Sequence, residues 1–142
     1  MDLPENKIII LFDGVCNLCN GFVQFVIKYD KKDTFRFASL QSQTGKEILI
    51  HLDLYSKKMD SVCYFESGIA YYLKSDAAIE IIKKLGGIFY LTIVLKIFPK
   101  IIRDFVYDFI AKNRYNWFGK KDNCMIPTLE LKSKFIDWFF FK

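Results

Sequence analysis

The chain has 142 residues, 52% hydrophobic and 18% aromatic, which supplies a packed core and excludes a disordered chain. Its net charge of +5 comes from lysines scattered along the sequence, a pattern that argues against a nucleic-acid partner. The acidic start Met1–Lys7 is not a signal peptide, and the apolar stretch Ile88–Phe98 is too short to span a bilayer, so the expectation is a cytoplasmic protein with no transmembrane segment.

In chain order, Ile8 to Phe12 is an unbroken apolar run of the kind that forms a central strand. Asp13-Gly14-Val15 breaks it, and from Cys16 the period becomes helical through Leu18, Phe22, Phe25, Val26 and Tyr29. This strand, loop and helix carry Cys16-Asn17-Leu18-Cys19 in the first helical turn. A helix start presents unpaired N–H groups and a partial positive charge, which stabilise a thiolate. The spacing also brings the two sulfurs within reach across one turn.

Thr34 to Ala38 reads as a second strand, parallel to the first because a helical crossover separates them. Gln41 to Leu52 reads as a helix with Ser42 as N-cap. Ser61 to Glu66 and Ile69 to Leu73 form a hairpin across a two-residue Ser67-Gly68 loop. Ser75 caps a third helix with Asp76 in its first turn, and Gly86-Gly87 ends it. Ile88–Phe98 is apolar all round and so is expected to be buried or at an interface. Lys100–Asn113 carries a stripe through Ile101, Ile102, Phe105, Val106, Phe109 and Ile110 that predicts packing on the core or a partner. The chain closes on the aromatic run around Trp138.

The order β-α-β-α-β-β-α, with Cys-x-x-Cys where the first helix begins, resembles the thioredoxin/glutaredoxin architecture. More narrowly, Asp13-Gly14-Val15-Cys16-Asn17-Leu18-Cys19 resembles the Asp-x-x-Cys-x-x-Cys signature of the DCC family of thiol-disulfide oxidoreductases. The likeness extends through Phe35–Ser42, Asp60-Ser61-Val62, Lys74–Ala77, Arg114-Tyr115 and Phe118-Gly119-Lys120. It implies an α/β thioredoxin-like core over residues 1–87 and a helical C-terminal extension over 88–142, packed together as one domain. Thioredoxins carry a cis-proline before the third strand; Met59-Asp60-Ser61 stands at that place here.

The resemblance implies disulfide exchange with a thiol or disulfide protein, or a low-molecular-weight thiol, and no bound cofactor. Cys16 is expected to attack and Cys19 to resolve the mixed disulfide. Asp13 either moves protons between the thiols and solvent or shapes the loop by accepting N–H bonds. Gly14, Ser61, Ser75 and Asp76 are the candidate substrate-binding residues, with ordinary helix capping as the competing account of Ser75 and Asp76. Two other readings stand beside this one. Cys16, Cys19 and Cys124 could hold a metal, although the usual second Cys-x-x-Cys is missing. Alternatively, the C-terminal aromatic helices could make the chain a partner-binding module. Cys63, within a strand, is expected in the core, and His51, near a helix end, is expected to be a solvated residue.

Overall fold

Strand β1, Ile8–Phe12, is buried at all five positions, because an apolar run with no polar alternation has no face to give to water. It lies inside a four-stranded sheet of order β2-β1-β3-β4, where β2 is Phe35–Ser39, β3 is Cys63–Glu66 and β4 is Ala70–Leu73. The structure is a computed structural model and describes residues 6–13, 17–55, 62–87, 94–119, 134 and 136.

β1 runs parallel to β2 from Ile8 opposite Phe35 to Phe12 opposite Ser39. On its other side it is antiparallel to β3, with Ile10 opposite Tyr64, and β3 pairs antiparallel with β4. Helices α1 (Asn17–Tyr29), α2 (Gln43–His51), α3 (Lys74–Lys84) and α4 (Lys100–Phe118) complete the expected mixed α/β order.

Alternation along β1 divides the core into two layers. Ile8, Ile10 and Phe12 meet Val23 and Val26 of α1 and Ala77 and Ile81 of α3 on one face. Ile9 and Leu11 meet Ile48 and Leu49 of α2 on the other. Cys63 belongs to this second layer, as its place in a strand led us to expect.

Several local expectations need correction. α2 begins at Gln43, two residues after the expected Gln41, although Ser42 is its N-cap and accepts the Gly45 N–H at 3.0 Å. The hairpin register joins Glu66 to Ala70, so its loop is Ser67-Gly68-Ile69, with Gly68 supplying the positive φ of 75°. The extra residue lets Ile69 N–H close on the Glu66 carbonyl at 3.0 Å. α3 begins at Lys74 with Leu73 at the cap position and no side-chain cap bond, so Ser75 lies inside the first turn and does not cap it. Phe25 is half-exposed against Tyr29, and Val23 takes the core position instead.

The largest correction concerns the C-terminal helix. Phe105 is 72% exposed and Ile101 84% exposed, so the apolar stripe faces away from the sheet. Arg114 is the buried residue of α4. The first six residues of Ile88–Phe98 lie outside the described residues, whereas Val94, Leu95, Ile97 and Phe98 are exposed. Beyond α4, Ile136 N–H donates to the Phe37 carbonyl at 2.7 Å.

Candidate functional site

The site forms where β1 ends and α1 begins. Asp13 follows the last strand residue and is 3% exposed, so its carboxylate needs partners to be tolerated. Its Oδ1 accepts from Gln41 Nε2 at 2.9 Å. Its Oδ2 accepts from Arg114 Nη2 at 3.1 Å and from the Tyr115 hydroxyl. Gln41 is held in turn by its N–H on Ser39 Oγ at 3.1 Å, because the tight turn after β2 folds back beneath the end of β1. Arg114 Nη2 also donates to the Tyr115 hydroxyl at 3.2 Å, and its guanidinium stacks 4.7 Å from the Tyr115 ring centroid.

Burial pushes the Tyr115 hydroxyl above its ordinary pKa, and the neighbouring Asp13 carboxylate adds to that shift. The phenol therefore keeps its proton at neutral pH and donates a hydrogen bond to Asp13. The network has a simple electrostatic effect: the negative charge that would disfavour a thiolate nearby is matched by the Arg114 guanidinium. Sequence reading assigned no role to Gln41, Arg114 or Tyr115, although all three fall in stretches that carried the family resemblance. The available signal was an arginine directly beside a tyrosine, Arg114-Tyr115, within a stretch that carried the family resemblance.

Cys19 lies in the first turn of α1 and is buried at 8% exposure. α1 begins at Asn17, the residue after Cys16. Cys16, Gly14, Ser61, Met59-Asp60 and Cys124 lie outside the described residues, so the expectations that rest on them are not met or refused by the geometry. Val62, the next residue after Ser61, donates its N–H to the Tyr107 hydroxyl at 3.0 Å. α4 thus reaches the start of β3 as well as the end of β1.

Ser75 and Asp76 are taken up by the same helix. Ser75 Oγ donates to Asp104 Oδ1 at 2.5 Å, and Asp76 Oδ1 accepts from Arg103 Nη1 at 2.7 Å. Lys100 adds an ion pair to Asp76 at 3.4 Å. Burial alone would raise the Asp76 carboxyl, but the hydrogen bonds from Arg103 and Lys100 outweigh it and hold the pKa below its ordinary value. The α3 start therefore presents a set of paired charges at which α4 is docked.

The remaining candidates stand apart. Burial pushes the Cys63 thiol up to about 12, so it stays a protonated core residue at neutral pH. His51 is exposed at the end of α2, edge-on to Phe65 with ring centroids 6.2 Å apart. Among the described residues there is no group of three or more His, Cys, Asp or Glu arranged to hold a metal; the proposed ligands Cys16 and Cys124 are not among them. No described helix is long and apolar enough to cross a membrane.

Residues 10–120 match the family model described as DCC1-like thiol-disulfide oxidoreductase. The chain is 48% identical over 128 residues to the uncharacterized protein YuxK of Bacillus subtilis (strain 168), covering 90% of this chain and 93% of that protein. It is 40% identical over 121 residues to the DCC family protein At1g52590, chloroplastic, of Arabidopsis thaliana, covering 84% of this chain and 70% of that one. No solved structure matches the chain.

Proposed function

We propose, from the premise that the chain belongs to the DCC1-like thiol-disulfide oxidoreductase family, that it exchanges disulfides through Cys16 and Cys19. The observation that supports this most is the placement of Cys19, buried in the first turn of α1, together with the charge-matching by Arg114 of the Asp13 carboxylate that follows β1. Cys16, at the helix start, is the thiol favoured as thiolate by the helix N–H groups. Its sulfur attacks one sulfur of a substrate disulfide; a mixed disulfide forms and the other substrate sulfur leaves as a thiolate, which takes a proton. Cys19, deprotonated, then attacks the Cys16 sulfur, the mixed disulfide breaks, and the second substrate sulfur leaves and is protonated. Two electrons pass from the cysteine pair to the substrate, which is reduced to two thiols. Two molecules of a low-molecular-weight thiol return the pair to the dithiol and leave as their own disulfide.

Asp13 acts in this scheme as a positioning residue. Held by Gln41, Arg114 and Tyr115, it anchors the start of the loop that carries Gly14, Val15 and Cys16. Gly14, Ser61 and Ser75 are assigned to contact the substrate. Asp76, paired with Arg103 and Lys100, holds α4 in place.

Thiol trapping tests the reading. Cys16→Ser abolishes exchange, whereas Cys19→Ser attacks and stalls as a mixed disulfide resolvable by mass spectrometry. Mixed disulfides that accumulate only in Cys16→Ser reverse the two roles, and an unreactive pair in metal-free protein overturns the function.

A further inference from the structure

We propose that an apolar groove between α3 and α4, walled at one end by Cys19, binds an extended apolar segment of the substrate protein next to its disulfide. This rests on the disulfide-exchange reading and adds to it the class of substrate. Two cavities, of about 230 Å³ and about 420 Å³, lie along α4. Both are lined by Ala78, Tyr107 and Ile110, so they are neighbouring compartments of one trough. The smaller includes Cys19 and Leu18 in its wall, and the larger continues to Phe98.

The chemistry of the occupant follows from what the wall has left to offer. Among the described residues, the Arg, Ser and Tyr side chains of the wall are already engaged. Arg114 binds Asp13, Arg103 binds Asp76, Ser75 binds Asp104, and Tyr107 accepts the Val62 N–H. A polar side chain inserted there would lose its hydration without recovering hydrogen bonds, whereas an apolar one gains by burial, and the open rim leaves a backbone above it in water.

Length and openness identify the occupant as a polypeptide. From Ile102 to Arg114 the lining residues rise about 18 Å along the helix, the span of roughly five extended residues. That is too long for a single side chain. The rim is open, with Phe98 55% and Val106 51% exposed, unlike sites that enclose nearly all of a small molecule. Continuity with Cys19 decides between segments: whatever fills the trough lies beside that thiol. Substrates with aromatic or branched residues flanking the reactive cysteine, as in an unfolded chain, are the ones selected.

The test compares two disulfide-bonded peptides, one with Leu and Phe flanking the cysteine and one with Ser and Gly. Wild-type protein is expected to reduce the apolar peptide with at least about tenfold higher kcat/KM, and Ala78→Phe, which fills the trough where the compartments meet, is expected to bring that ratio toward one. Equal kcat/KM for the two peptides in wild-type protein overturns the groove. A failed exchange reaction is kept separate by fluorescence anisotropy with the same peptides carrying Ser for Cys, so that no thiol chemistry is involved. Selective binding of the apolar peptide without exchange sustains the groove and overturns the redox reading. Uptake of lauric acid with no peptide binding, or a dimer in sedimentation that blocks the peptide, overturns the assignment of occupant.

Discussion

The sheet and the C-terminal helix are held by opposite kinds of contact. In the sheet, buried side chains such as Phe35, Phe37, Ile10 and Leu11 are fully removed from water, and cohesion is apolar. α4 turns Ile101, Phe105 and Phe109 outward and docks through polar groups: Arg114 on Asp13, Tyr107 on Val62, Asp104 on Ser75 and Arg103 on Asp76. An amphipathic pattern shows that a helix has two faces. It does not show which of them meets the rest of the molecule.

Removing one buried anchor from each region should cost a similar amount, for different reasons. Arg114→Met leaves Asp13 as an uncompensated buried carboxylate, an expected loss of about 3–5 kcal/mol in urea unfolding. Adding Asp13→Asn should return part of that loss, because the remaining group is neutral; a double variant no more stable than Arg114→Met breaks the electrostatic account. Phe37→Ala should also cost about 3–5 kcal/mol, here through lost burial and a cavity.

A smaller effect should distinguish backbone packing from helix propensity. Replacing a glycine within a helix with alanine normally gains up to about 1 kcal/mol, and Gly45 lies in the first turn of α2. At Gly45 an added Cβ would lie 2.1 Å from the Ser39 carbonyl oxygen, a backbone atom that cannot step aside. Gly45→Ala is therefore expected to destabilise by about 1–3 kcal/mol, and a gain in stability would show that the turn into α2 yields.

Acid should loosen α4 before the sheet. The Asp76 and Glu80 carboxyls lie below their ordinary pKa because, despite burial, their lysine and arginine partners favour the charged form. A carboxyl lowered on folding adds stability above its unfolded pKa and gives it up as pH falls through the folded one. The contribution is thus complete at neutral pH and fades below about pH 4. Each pair is worth about 1 kcal/mol or less, so the change should be modest. It can be followed by Trp117 fluorescence in Trp138→Phe, which leaves one of the two tryptophans. A signal flat to pH 2 would contradict charged docking.

The smallest effect should fall on the most hydrophobic-looking position. Phe105→Ala, at 72% exposure, is expected to change stability by no more than about 0.5 kcal/mol. A loss equal to that of Phe37→Ala would place the stripe of α4 in a core.

Much of the architecture was legible in the chain by itself. The apolar run at β1, the Cys-x-x-Cys after it, the Ser42 cap and the glycines closing α3 are local signals, set by residues a few positions apart. They yielded the β-α-β-α-β-β-α order and the position of the thiol-bearing helix start. Small errors arose where local rules compete. A turn glycine fits either a two- or a three-residue hairpin loop, and a serine near a helix start is as readily inside the first turn as at its cap.

What only the tertiary structure decided is the environment of Asp13 and the docked face of α4. Asp13 and Arg114 are 101 residues apart, and a pair so separated leaves no periodic trace in the sequence. The polar residues that dock α4 are also too few to outweigh its apolar ones in any pattern of hydrophobicity. Each is fixed by a single partner on another element, and burial makes such a bond decisive: a charged group there must find its one complement, whereas an exposed phenylalanine loses little.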